Sequence, residues 1–331
     1  VTDKPKVAFY WCASCGGCEE AVVDLAEKVL EVTAAVDIVF WPVALDPKKA
    51  DVEAMEDGEI LATFVNGAIR TTEQEEMAQL LRRKSKLLLA FGSCAHLGGI
   101  PGLGNLWDRE SIFQTVYLEG PTTDNPEQLI PLTSHPHNGE MVHLPGFYDT
   151  VRALDQVVKV DYYVPGCAPT PGIIAGAVTT LLSGDLPPPA SVLAPDIALC
   201  DECDRRETKP EKLEITEWKR PHQVIADDEL CLLAQGLLCL GPATRGGCGA
   251  LCINGNMPCT GCFGPTSRVR DQGAKALSAI ASVVGSDDPE EIERILEGVP
   301  DPVGTFYRYG LPHSLLVRRK HDALETKVQE F

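Results

Sequence analysis

Thirteen cysteines stand in 331 residues, and their spacing carries the chemistry of this chain. Five lie in the first 167 residues: Cys12, Cys15, Cys18, Cys94 and Cys167. Eight more are crowded together as Cys200-x2-Cys203, Cys231-x7-Cys239, Cys248-x3-Cys252 and Cys259-x2-Cys262. Twelve of the thirteen group as three sets of four, with one left over. Thiolate sulfur is the soft ligand that zinc and iron–sulfur clusters select. Three sets of four thiolates point to three metal centres, and a row of such centres points to electron transfer. An odd count fits poorly with a framework closed entirely by disulfides.

The dispersed set shares one context. Cys15 and Cys18 follow an apolar strand pattern at 6–11. Cys94 follows another at 86–92, in Gly92-Ser93-Cys94-Ala95-His96-Leu97-Gly98-Gly99. Cys167 follows a third at 160–164, in Val164-Pro165-Gly166-Cys167-Ala168-Pro169. Loops that leave parallel strands emerge at one edge of the sheet, where α/β folds bind ligands. Four thiolates distant in sequence therefore converge. Gly16, Gly17, Gly98, Gly99 and Gly166 remove side chains, so backbone N–H groups can approach cluster sulfur and tune its potential. Cys18 abuts the start of a predicted helix, which favours thiolate. Cys12 is the spare and reads as a small buried apolar residue.

These sites need a scaffold. Strands are expected at 6–11, 36–43, 61–69, 86–92 and 160–164, and helices at 19–31, 71–83 and 171–182, with Thr71 or Thr72 as a cap. The alternation predicts an α/β fold: a doubly wound, flavodoxin-like parallel sheet. Residues 99–150 are too long for an ordinary connection and read as an insertion that covers something or meets a partner. Residues 1–184 form the flavodoxin-like domain, 185–190 a stiff proline linker, and 191–331 a second, irregular iron–sulfur cluster domain. Short helices are expected at 271–284 and 289–296. Residues 200–264 show little periodicity and too few apolar residues for a conventional core, so bound metal is expected to hold that segment together.

Composition narrows the class. The hydrophobic fraction of 44% and charged fraction of 23% are ordinary for a globular protein. A net charge of −19 lacks the basic footprint that nucleic acid or an anionic membrane requires. No basic-then-apolar leader opens the sequence, and no apolar run is long enough to span a bilayer. The expected location is the cytoplasm, where thiols stay reduced and dense cysteine reads as metal binding. Zinc ribbons also use paired Cys-x2-Cys motifs, so a zinc-stabilised scaffold is the competing class.

The segments Cys15-Gly16-Gly17-Cys18-Glu19-Glu20, Gly92-Ser93-Cys94-Ala95 and Pro165-Gly166-Cys167-Ala168-Pro169 together resemble the small subunit of nickel–iron hydrogenases. The related subunit of respiratory complex I shares that fold but is less similar. The resemblance implies a proximal 4Fe-4S cluster on Cys15, Cys18, Cys94 and Cys167. It further implies a distal 4Fe-4S cluster on Cys200, Cys203, Cys231 and Cys239, and a medial one on Cys248, Cys252, Cys259 and Cys262. Cys239 and Cys248 remain interchangeable between those two, and His222 is an alternative ligand.

The stretch 241–252, the motif Met257-Pro258-Cys259-Thr260-Gly261-Cys262 and the tail 304–312 most resemble the gamma-subunit type of cytoplasmic methyl-viologen-reducing hydrogenases. The implied function is electron relay. A large subunit, an obligate partner holding the nickel–iron centre, would oxidise dihydrogen. Electrons would reach an iron–sulfur adaptor leading to heterodisulfide reductase, or a flavin-containing complex. A related deazaflavin-, NAD(P)- or sulfur-reducing hydrogenase is the alternative.

No cysteine remains for the nickel–iron centre, so the chain alone is expected to be inactive. Glu19 and Glu20 lie beside the proximal set, either as proton carriers or as plain carboxylates of a helix start. His96, His135, His137 and His143 are unassigned. Asp201, Glu202 and Asp204 read as a solvated charge run.

Overall fold

A computed structural model describes residues 4–299 and 301–317. Strand β1 (Lys6–Trp11) sends Val7 and Phe9 into one apolar cluster, while Ala8 and Tyr10 face another. A strand covered on both sides by helices has this pattern. Helices α1 (Gly17–Val23) and α2 (Lys28–Ala35) lead to β2 (Asp37–Phe40), α3 (Lys49–Ala54) and β3 (Ile60–Asn66). Next come β4 (Ile69–Thr71), α4 (Thr72–Lys84), β5 (Ser85–Phe91) and α5 (Ser93–Leu97).

The insertion carries α6 (Arg109–Phe113), the hairpin β6 (Ser134–His137) and β7 (Glu140–His143), and β8 (Phe147–Arg152), which pairs antiparallel with β4. Strand β9 (Tyr162–Val164), helix α7 (Pro171–Ser183) and β10 (Ser191–Val192) come after it. The remainder is mostly irregular. It is punctuated by α8 (Leu251–Asn254), α9 (Gln272–Ala281), α10 (Pro289–Leu296) and α11 (Pro302–Phe306).

Six strands form one parallel sheet in the order β10-β9-β5-β3-β1-β2. Without the short β10, the order is the flavodoxin-like one, with its reversal at β1 and β3. Ala8, Val65, Leu88 and Ala90 pack on one face and Val7, Phe9, Phe64, Leu89 and Phe91 on the other. Helix α4 begins where the sequence placed its cap. The Gln74 amide donates to Thr71 Oγ1 (3.3 Å), and the Thr71 amide donates to Gln74 Oε1 (3.1 Å), a reciprocal capping box.

Three expectations change. The helix over 19–31 is two helices, because Ala26 takes φ +51° and ends the run. The break keeps Leu25 buried while α2 turns outward with no fully buried residue. The strand over 61–69 stops at Asn66, where Gly67 turns at φ +88°. A Cβ on Gly67 would lie 2.6 Å from the Cys12 carbonyl carbon, so only glycine fits this close approach. The segment 200–264 is not without an apolar core. Leu199, Trp218, Leu232, Leu237 and Ile253 are buried together with Ile280, Ile295 and Phe306 from the later helices. Those core residues are scattered without period, so pattern reading misses them.

The chain that leaves the proline stretch returns to the sheet as β10, beside β9. Among the described residues no helix is long and apolar enough to cross a membrane.

Leu88 is fully buried in the sheet. Leu88→Ala should lower stability by about 2–5 kcal/mol, and Thr71→Ala by only about 1 kcal/mol. Urea midpoints followed by tryptophan fluorescence test this; equal midpoints for the two variants would contradict the packing described.

Candidate iron–sulfur sites

The loops after β1, β5 and β9 leave the sheet at its carboxyl edge and carry Cys15 and Cys18, Cys94, and Cys167. The strand register brings these ends together. The Gly92 amide donates to the Val164 carbonyl (2.8 Å), and the Ser93 amide to the Gly166 carbonyl (2.8 Å). Gly92 has φ +87°, and a Cβ there would lie 2.3 Å from Cys18 Sγ. Cys18 and Cys94 are buried, whereas Cys15 and Cys167 are exposed. Burial pushes the Cys18 thiol up, and the charges of Cys94, Cys167 and Cys15 push it further. The Cys94 thiol is pushed up to about 12, by burial first and then by Cys167, while the Ile100 amide works in the opposite direction. These four thiols therefore share one place.

Cys12 does not join them. It points into the core with Phe40, Ile69 and Met77, and burial raises its thiol strongly. It is the small apolar residue expected.

A second group lines a cavity of about 240 Å³: Cys200, Cys203, Cys231 and Cys239 open into it, with Arg205, Arg206, Lys209 and Leu232. Burial pushes Cys200 up to about 12, and Cys239, Cys203 and Cys231 add to that. Cys239 thus stands with the cysteines assigned to the distal set, and Cys248 does not line the cavity. His222 is exposed in a turn and does not line it either.

The third group lies between the other two. Cys262 is pushed up to about 12 by burial and by the charges of Cys167, Cys248 and Cys252; the Cys167 amide opposes this by donating to it. Cys259 is raised by burial, then by Cys239 and Cys262, with Thr244 and the Gly261 amide stabilising its thiolate. The Cys259 amide donates to Cys239 Sγ at 3.4 Å. Cys262 therefore faces the first group and Cys259 the second.

The donor chemistry fits iron–sulfur clusters. Each group offers four sulfurs, several with a backbone N–H aimed at them, and the Cys200 group encloses open space. Thiols raised this far are neutral near pH 7, so metal loading would release their protons. Among the described residues no three His, Cys, Asp or Glu side chains are placed to share a single ion.

Other residues acquire roles that spacing did not suggest. Ser93 Oγ donates to the Cys262 carbonyl, fastening the loop of Cys94 to that of Cys262. Buried Arg205 donates to the Leu230, Ile253 and Asp227 carbonyls, tying the approach to Cys231 to α8. The sequence signal available for Arg205 was an arginine two residues from a ligand motif in an acidic chain.

Glu19 is buried and its Oε1 accepts from Asn66 Nδ2 (3.1 Å), while Glu20 is exposed. Burial raises the Glu19 carboxyl. His96 is buried against Tyr163, and desolvation lowers its pKa to about 3. His135, His137 and His143 are exposed on the β6–β7 hairpin. Asp201 pairs with Arg206 (2.7 Å) and Asp204 is exposed, so both belong to the solvated run expected.

Residues 15–181 match the family described as NADH ubiquinone oxidoreductase, 20 Kd subunit. The chain is 40% identical over 317 residues to the iron–sulfur subunit of the F420-non-reducing hydrogenase of Archaeoglobus profundus, covering 95% of this chain and 98% of that one. It is 39% identical over 319 residues to the like-named subunit of the F420-non-reducing hydrogenase of Methanothermobacter thermautotrophicus, covering 96% of this chain and 97% of that one. The solved NiFeSe hydrogenase from Desulfovibrio vulgaris Hildenborough shares the fold, with a TM-score of 0.52 at 16% identity over 80% of this chain and 95% of that one.

Fold and relatives together define a hydrogenase small subunit, the non-catalytic component of an oxidoreductase. Within that class the chain belongs to the family of F420-non-reducing hydrogenase iron–sulfur subunits.

Gly92→Ala should displace Cys18 and lower iron retention by about one cluster's worth. Gly139→Ala, also at positive φ but with open space around it, should keep its iron. Iron per chain after anaerobic purification distinguishes them, and full retention in Gly92→Ala would refute the close approach.

Proposed function

We propose that this chain is the electron-transfer subunit of a cytoplasmic nickel–iron hydrogenase of the methyl-viologen-reducing type. The observation that carries the reading is the end-to-end arrangement of three cysteine groups. The Cys167 amide reaches Cys262, and the Cys259 amide reaches Cys239 at 3.4 Å. Three 4Fe-4S clusters held there would supply one-electron redox steps at closely spaced points. Cys15, Cys18, Cys94 and Cys167 would hold the proximal cluster, Cys248, Cys252, Cys259 and Cys262 the medial one, and the four cysteines around the cavity the distal one.

The protein's own part is to hold and insulate. Buried Phe91, Val164 and Phe263 surround these loops with apolar volume, and backbone amides supply the donors that tune cluster potential. At the proximal end Cys15 and Cys167 are exposed, and Trp11 beside them is 40% exposed. A large subunit that oxidises dihydrogen would cover that end as an obligate partner. Electrons would leave at the cavity end to an iron–sulfur adaptor leading to heterodisulfide reductase. The relatives' shared name, F420-non-reducing hydrogenase, supports this acceptor class over a deazaflavin.

Anaerobically purified protein should contain about twelve irons and twelve sulfides per chain, with interacting 4Fe-4S signals in electron paramagnetic resonance after reduction. Zinc without sulfide would replace the relay with a scaffold. The chain freed of its large subunit should not oxidise dihydrogen; hydrogen uptake by the lone chain would refute the division of labour.

A further inference from the structure

Glu202 lies inside the Cys200-x2-Cys203 motif, yet its carboxylate serves a different cysteine group. Its Oε2 accepts from the Gly247 amide at 2.7 Å and its Oε1 from the Gly249 amide at 3.1 Å. These are the two residues flanking Cys248, whose Sγ lies 3.8 Å from Oε1. Gly246 leaves room for the approach, since a Cβ there would stand 3.1 Å from Oε2. The neighbours Asp201 and Asp204 do nothing comparable: Asp201 pairs with Arg206 at the surface and Asp204 is exposed.

We propose that Glu202 is a positioning residue that binds the two amides flanking Cys248 and keeps a negative charge against the medial group. The inference rests on the cluster reading above.

Two charge-assisted hydrogen bonds to the amides on either side of one ligand fix its direction, as ordered outer partners do at metal centres. The glycines that surround Cys248 would otherwise leave its loop free to adopt many conformations. The same carboxylate places negative charge close to the sulfur, where a further electron on the cluster is disfavoured. Glu202 therefore links two sites: the loop that supplies Cys200 and Cys203 also sets the geometry and the field at Cys248.

The test uses the complete hydrogenase complex carrying Glu202→Gln or Glu202→Ala, with Asp204→Ala as the control. Iron and sulfide are counted, and cluster midpoints are followed by potentiometric titration with electron paramagnetic resonance. Glu202→Gln removes the charge and keeps one acceptor. It should retain its iron while one midpoint moves to more positive potential and the other two stay. Glu202→Ala removes both acceptors and should lose about four of twelve irons.

Unchanged midpoints in Glu202→Gln would overturn the electrostatic role, and full iron in Glu202→Ala would overturn the positioning role. A wild-type complex without iron and sulfide would instead sink the cluster reading itself. Wild-type clusters with indifferent variants would sink only the role of Glu202.

Discussion

Thiolates buried side by side repel one another and lose the solvation of water, and this chain places twelve cysteines in three adjoining groups. Burial is the largest cause raising Cys18, Cys94, Cys200, Cys239, Cys259 and Cys262, and neighbouring sulfur is named among the causes for each. What opposes it is the backbone. Amides of Ile100, Gly241, Cys259, Ala250, Leu251, Gly261 and Cys167 donate to cysteine sulfur. An N–H committed to a helix or ladder is not free to do this. The irregularity of the second half is therefore a requirement: loops and four- or five-residue helices leave amides available where sulfur collects.

The sheet solves the complementary problem of bringing distant residues together. Parallel strands deliver three loops to one edge, and the second half must then dock against that edge. Several contacts fix the docking. Ser93 reaches the Cys262 carbonyl. Arg245, nearly buried, pairs with Asp196 at 2.9 Å and donates to the Pro195 and Pro265 carbonyls. Strand β10 adds to the sheet immediately before this point. The proline stretch at 187–189 thus gives way at once to chain that belongs to the sheet, and Arg245 clamps the segment beyond it. The register of the first and third cysteine groups depends on these few polar contacts, because no continuous ladder crosses between them.

Much of the sheet and the first cysteine group was legible because both rest on local rules. Apolar runs of six or seven residues give strands, Thr71 with Gln74 gives a capping box, and parallel topology sends loop residues to one edge. Those rules also place Cys15, Cys18, Cys94 and Cys167 together. The break at Ala26 was not legible, since alanine is a helix former and only tertiary demand on Leu25 puts it at positive φ. The apolar core of the second half was hidden for a related reason. Leu199, Trp218, Leu237 and Phe306 are far apart and follow no period, so only the folded chain shows that they meet.

Glu202 marks the sharper limit. In sequence it is one acid of a run, Asp201-Glu202-Cys203-Asp204, and such runs are usually solvated. Two of its three carboxylates behave that way. The third differs because Gly246, Gly247 and Gly249, more than forty residues downstream, present bare amides and no side chains to exclude it. The distinguishing information lies in the partner loop and not in the run, so a reading along the chain treats three unlike carboxylates as one. A polar side chain in a ligand loop is best judged by which distant glycines face it, and that question is answered by packing.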